Sequence, residues 1–231
     1  MRIAFSGAAC TGKTTTISAF LAKWPNYKSP ETSYRTLISN NKHSKRTDKK
    51  IQRSILQFMV DQQKGYTLHD NIVYDRCGLD NVVYSLWCHD KGIKGFNKQY
   101  IDESIELVKE SMRTLDIIFL STRDLMGPIV NNNIREVDPE FVMETDNIFR
   151  AIYSQLLSTG ASPFFPPHDS PGLIELKGTT EERIDLISMY ITPEGSMYGE
   201  EQSLVNMDEI AKMESLLREQ KGLAAKEKGI L

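Results

Sequence analysis

Cysteine is scarce. The 231 residues include only 3, at positions 10, 77 and 88. An odd number without Cys-x-x-Cys spacing excludes a disulfide framework and a structural zinc site, and it suits a reducing compartment. Long apolar runs are missing too: none reaches the ~18 residues of a membrane span. No charged-then-apolar leader precedes the first strand, so a cytoplasmic protein is expected. Neither sign of charge dominates. A net charge of −3 and a pI near 5.9 exclude a surface that is basic all over, so any contact with nucleic acid has to be local. Internal repeats and long low-complexity segments are absent. The length suits one α/β domain with a full core and a short appendage.

What is there begins at the N-terminus. Gly7-Ala8-Ala9-Cys10-Thr11-Gly12-Lys13-Thr14 fits the phosphate-loop pattern G-x-x-x-x-G-K-[ST]. A short apolar strand, Arg2 to Ser6, precedes it, and a helix carrying Ile17, Ala19, Phe20, Leu21 and Trp24 follows. Two glycines let the chain turn tightly enough for successive N–H groups to surround an anion, and the helix N-terminus adds its positive end. The motif therefore predicts a nucleoside triphosphate site built from residues 7 to 14 and Thr15, with Lys13 reaching the β- and γ-phosphates and the Thr14 hydroxyl on Mg²⁺.

Farther along, Tyr27 to Glu31 reads as a turn and a second strand ending at Pro30-Glu31. Ligands of open α/β sheets sit at the carboxyl ends of strands, so Glu31 is a candidate base for an acceptor hydroxyl, or else a glutamate at a helix N-terminus. Between positions 42 and 53, Lys42, Lys45, Arg46, Lys49, Lys50 and Arg53 oppose only Asp48, a local net of +5 in a chain of −3. Such a run is either a solvated face or a patch for a polyanion such as DNA, with Lys45, Arg46, Lys49 and Arg53 as its contacts. The helix from Asp48 to Leu68 carries Gln57 as an amide that could face a nucleobase. Asn71 to Arg76 reads as a buried strand ending in Asp75, a magnesium-site carboxylate or base, and Arg76, a holder of acceptor or phosphate oxygens. The alternative is an ion pair at a strand end. Tyr84 and Trp87 share an apolar stripe and read as core.

Another helix, Lys98 to Arg113, feeds the apolar strand Asp116 to Ser121. The polar stretch from Thr122 to Asp138 suits a mobile lid, in which Arg135 and then Arg123 are candidates for stabilising the transferring phosphoryl group. Pro139 opens a helix that ends near Gly160. Leu173 to Leu176 forms the last strand, and the turn at Gly178-Thr179 is placed to hold an adenine ring on backbone groups. Beyond 191, a charged helix over Asn206 to Gln220 either packs back or pairs with a second copy. The expected boundary lies between a phosphate-loop α/β domain, 1–191, and a helical extension, 192–231.

The phosphate loop, Pro30-Glu31, Asp75-Arg76 and the run Ile134 to Phe141 together resemble the ribosylnicotinamide-kinase-like branch of phosphate-loop kinases, related to deoxynucleoside and nucleoside-monophosphate kinases. The resemblance implies a three-layer α/β fold with a parallel sheet of about five strands, ATP, and Mg²⁺. It also implies a phosphotransferase whose acceptor is a nucleoside-type hydroxyl. In deoxynucleoside kinases a glutamate after the second strand acts as base and a Glu/Asp-Arg-Ser element sits near the acceptor; here Glu31 and Asp75-Arg76 match, while Cys77 replaces the serine. Similar phage kinases phosphorylate 5-hydroxymethyluracil within DNA, which with the basic run makes hydroxymethylated DNA the expected acceptor. A free nucleoside or monophosphate is the alternative, and a nucleotide-dependent switch that binds a partner is the second.

Overall fold

A computed structural model describes residues 1–34, 48–67, 69–123 and 138–199. Four strands, β1 (Arg2–Ser6), β2 (Ile72–Asp75), β3 (Ile117–Ser121) and β4 (Gly172–Leu176), form a parallel sheet in the order β2-β1-β3-β4. The helices among the described residues are α1 (Lys13–Lys23), α2 (Lys49–Lys64), α3 (Gly78–Asp90), α4 (Lys98–Met112), α5 (Pro139–Thr159) and α6 (Thr180–Ile187).

Every residue of β1 and β3 is buried, as the near-continuous apolar runs require of parallel strands covered on both faces. Side chains alternate across the sheet and sort into two cores. Ile3, Phe5, Val73, Ile117 and Phe119 pack with Ile17 and Phe20 of α1, Trp24 at its C-terminal cap, and Ile187 of α6. Ala4, Ile72, Tyr74, Ile118 and Leu120 face the opposite layer, against Leu56 of α2, Leu79 and Val82 of α3, Val108 and Met112 of α4, and Phe149 of α5. The result is three layers, helices on both faces of a twisted parallel sheet.

Helix ends follow their capping chemistry. Asp48 and Asn97 accept backbone N–H groups at the starts of α2 and α4. Asp138 and Pro139 open α5, and Gly160 closes it in the left-handed conformation.

The sheet has four named strands rather than about five. The expected strand before Glu31 is reduced to one parallel bridge, where Lys28 N donates to Asn71 O at 3.0 Å and Val73 N to Lys28 O at 3.0 Å. Pro30 has no N–H to continue the ladder, which ends the pairing there. Past Ile191 the chain stays on the body: Trp24 Nε1 donates to Thr192 O at 2.8 Å and the Tyr27 hydroxyl to Gly195 O at 2.6 Å. Lys45, Arg46, the lid with Arg135, and the helix expected over 206–220 lie outside the described residues. Among the described residues no helix is long and apolar enough to cross a membrane.

Candidate active site

The carboxyl ends of β1, β2 and β3 gather the chemistry. The loop from Gly7 to Gly12 leaves the central strand and enters α1 at Lys13. Gly7 has φ +133°, and a Cβ there would stand 2.2 Å from the Ser121 carbonyl oxygen, so only glycine lets the loop pass the end of β3. Lys13 is buried and turned into the loop, its Nζ donating to the Gly7 carbonyl at 2.7 Å, to the Ala8 carbonyl, and to Thr11 Oγ1 at 3.2 Å. Burial, reinforced by the nearby Arg76 charge, pulls the Lys13 ammonium down to about 7 against the opposing pull of Asp80 and Asp75. Cys10 is exposed at the loop's tip, in a left-handed conformation with φ 58°.

Asp80 organises the floor of the site, and it was not singled out from the sequence. Its buried carboxylate accepts from Ser6 Oγ at 2.8 Å, Gly7 N at 3.2 Å, Cys77 N at 3.1 Å and Arg76 Nη1 at 2.6 Å. The legible signal was the spacing Cys77-Gly78-Leu79-Asp80, a capping box in which cysteine stands for Ser/Thr and the acid occupies its third helical position. Arg76 follows Asp75 in a left-handed conformation with φ 83°, and Nη1 also reaches the Gly7 carbonyl at 3.2 Å. Burial works against its charge, but Asp80, Tyr34 and Asp75 outweigh it and hold the guanidinium's pKa above its ordinary value. Asp75 sits opposite Phe5 in the β1–β2 register and its charge is felt by both Lys13 and Arg76.

Beside the loop opens a pocket of about 220 Å³. Ala8, Arg76 and Asp80 form one end; Gln52, Ile55 and Met59 of α2, Asn81 and Tyr84 of α3, and Phe141 and Phe149 of α5 form the walls. Tyr84, read from the sequence as core, stands in this wall, edge-on to Phe141 at 5.6 Å, with Trp87 behind it at 4.9 Å from the same ring. The amides at the pocket are Gln52 and Asn81, and Asn81 Nδ2 donates to both the Gln52 backbone oxygen and Gln52 Oε1. Gln57 lies on the exposed side of α2, donating to Asp61 at 2.8 Å. Gln52 and Gln57, five residues apart on α2, stand about 140° from each other around the helix, and the sequence offered several glutamines to choose from.

Other expected positions are dispersed. Glu31 is exposed in a bend, three residues before Tyr34, which does line the pocket. Lys49 is exposed, whereas Arg53 is ion-paired with Glu103 and lies over the Tyr100 ring. Arg123 is held by its backbone: its N–H donates to Asp146 Oδ1 at 3.2 Å and its carbonyl accepts from Arg150. Gly178 has φ 81°, and Thr179 caps α6, accepting from Glu182 N at 3.3 Å. Among the described residues no three His, Cys, Asp or Glu side chains gather into a metal cage. A magnesium ion, which keeps waters and leans on phosphate oxygens, suits the exposed Thr14 beside Lys13 and the Asp75 carboxylate.

The family model described as AAA domain matches residues 2–159, more than half of the chain. The chain belongs to this AAA-domain family. No curated protein matches its sequence. The AAA-domain fold seen here is similar to solved structures of phosphate-loop kinases. Deoxyadenosine kinase of M. mycoides with bound dCTP is 18% identical over 82% of this chain and 97% of that one, with a TM-score of 0.59. NadR in complex with NR is 16% identical over 82% of this chain and 51% of that one, TM-score 0.55. Thymidylate kinase from Candida albicans is 17% identical over 81% and 89%, TM-score 0.50. Identities this low establish the α/β phosphate-loop kinase fold of this AAA-domain protein and leave its acceptor to the chemistry of its own site.

Proposed function

We propose that this AAA-domain protein is an ATP-dependent phosphotransferase whose acceptor is a hydroxyl of a nucleoside-type molecule. The observation that carries the reading is the continuity of the phosphate loop with an aromatic, amide-edged pocket: Ala8 and Ala9 of the loop line it together with Arg76, which also reaches the Gly7 carbonyl. A switch ATPase has no need of such a pocket, while a kinase needs an acceptor held in line with the transferring phosphoryl group.

ATP supplies the phosphoryl group, and Mg²⁺ offsets charge on its oxygens. The chain's own residues divide the remaining work. Loop N–H groups and Lys13 would hold the phosphates; Thr14 and Asp75 would hold the metal; Tyr84 and Phe141 would pack on the planar part of the acceptor; Gln52 and Asn81 would meet its polar edge. Arg76 orients the acceptor hydroxyl beside the loop. The base is Asp75 or Glu31, neither of which lines the pocket: Asp75 ends β2 next to Arg76, and Glu31 is exposed in the bend three residues before Tyr34. Arg135, outside the described residues, and Arg123 would add charge stabilisation, and Gly178-Thr179 would receive the adenine.

A free nucleoside or nucleoside monophosphate is the first acceptor class: a deoxyadenosine kinase and a thymidylate kinase are among the proteins of similar fold, and aromatic rings and amides line the pocket. The second is 5-hydroxymethyluracil in DNA, favoured by Lys49 and Lys50, which stand exposed at the start of the helix that carries Gln52. A base in a duplex would have to leave its stack to enter. Transfer of labelled γ-phosphate from ATP to a panel of nucleosides, monophosphates, plain DNA and hydroxymethylated DNA separates these. Label in a nucleoside or monophosphate supports the first reading and label in hydroxymethylated DNA alone supports the second. ATP loss with no labelled acceptor overturns both in favour of a switch.

A further inference from the structure

Arg183 is buried, lies on α6, and has no carboxylate partner within ion-pair distance among the described residues. Burial alone lowers its pKa, with no neighbouring anion to raise it. A buried cation without a counter-charge is unfavourable unless something else compensates it. Here the compensation comes from the phosphate loop: Arg183 Nη1 donates to the Thr11 carbonyl at 2.6 Å and to Thr16 Oγ1 at 3.4 Å. A Cβ added to Gly12 would meet the same Nη1 at 3.2 Å, so the guanidinium is packed directly against the loop's second glycine.

Peptide planarity turns this contact into an orientation. In a trans peptide the C=O and the following N–H point to opposite sides. Arg183 holds the Thr11 carbonyl outward, which aims the Gly12 N–H the other way. The next carbonyl, that of Gly12, is held by Thr16 N at 3.0 Å and Thr16 Oγ1 at 3.1 Å, which aims the Lys13 N–H inward as well. The second of these ties belongs to α1 itself and forms with the helix. The first depends on a residue 172 positions away. Gly12, with φ +79° and no side chain, is the point at which the loop is freest to rotate without it.

We infer that Arg183 is a positioning residue of the phosphate site: it fixes the Thr11–Gly12 peptide with its N–H toward the anion, and its charge behind the loop becomes compensated when phosphate binds. This rests on the phosphate-loop reading above and adds a residue to it from the far end of the fold. The sequence did not single out Arg183, since nothing in a local pattern shows a long side chain reaching back to the first loop.

The test is binding, without transfer. Affinities for ADP and for inorganic pyrophosphate are measured by calorimetry on wild type, Arg183→Met and Arg183→Lys, with thermal melting of each as a check of the fold. Arg183→Met removes a buried charge with no carboxylate partner, so melting is expected to hold. Both affinities fall roughly tenfold, the size of one charge-assisted hydrogen bond, and Arg183→Lys loses several-fold because it keeps the charge without the fork. Equal losses for ADP and pyrophosphate place the effect on the phosphate cradle. A folded Arg183→Met that binds both ligands as wild type does overturns the inference, as does a loss confined to ADP, which would mean contact through the base. If Arg183→Met does not fold, Arg183→Lys decides by the same comparison. Wild type that binds neither ligand overturns the phosphate-loop reading itself, a result distinct from wild-type binding that Arg183 does not affect.

Discussion

Arg76 Nη1 and Asp80 Oδ1 stand 2.6 Å apart, and the same Asp80 oxygen accepts the Gly7 N–H at 3.2 Å. One buried carboxylate thus ties the guanidinium beside the acceptor pocket to the first residue of the phosphate loop. The two halves of the proposed reaction are set in register through Asp80, and neither half fixes that geometry alone.

Asp80→Asn removes the charge while keeping the shape, leaving Arg76 partly buried without its counter-ion. Breaking a buried pair from one side costs about 3–5 kcal/mol, so a large drop in the denaturation midpoint is expected, together with loss of transfer. Arg76→Lys keeps the charge on a shorter side chain without the planar guanidinium that Nη1 uses to reach Gly7 and Asp80; it is expected to fold and to lose transfer by about a hundredfold. Denaturant titration and turnover of the two variants check this. A fully stable, active Asp80→Asn would remove Asp80 from the account.

Lys13 gives the site a pH signature. Its ordinary value is 10.5 and burial lowers it to about 7 in the folded chain. Between those values the unfolded chain binds more protons, so stability attributable to Lys13 rises with pH through that window; below about 7 its penalty is constant. Relative to Lys13→Met, wild type is expected to gain stability as pH rises from about 7 to 9. Phosphates favour the charged form, so ADP binding near pH 8 should take up protons, visible as a binding enthalpy that changes with buffer. A stability gap that stays flat with pH, or an enthalpy indifferent to buffer, would count against the buried geometry of Lys13.

The pocket makes a contrast within one helix. Gln52→Ala and Asn81→Leu disturb the paired amides at the pocket wall and are expected to raise the acceptor KM about tenfold with the ATP KM unchanged. Gln57→Ala, on the exposed side, is expected to change neither, within about 0.5 kcal/mol in stability. Steady-state kinetics on the three variants decides; an acceptor KM that moves with Gln57 and not with Gln52 would relocate the acceptor.

The phosphate loop, the apolar strands and the starts of α2, α4 and α5 were legible because each rests on local chemistry, namely glycine spacing, apolar periodicity and Pro139 at a first helical position, while the expected end of α2 at Leu68 overshoots Lys64. The failures are nonlocal. Pro30 truncated a strand whose existence depended on pairing with β2. Asp80 and the Gln52–Asn81 pair act across elements, and periodicity alone does not say which of several amides on α2 points inward. Tyr84 lay on an apolar stripe that turned out to line a cavity as well as a core, a distinction that only the packing of α5 against α3 draws.

The most direct test of the central claim is transfer of labelled γ-phosphate from ATP to the acceptor panel by wild type and by Lys13→Met, each shown to be folded. The account predicts a labelled nucleoside-type product with wild type and none above background with the variant. Equal transfer by a folded Lys13→Met, or ATP hydrolysis by wild type with no labelled acceptor, would contradict it.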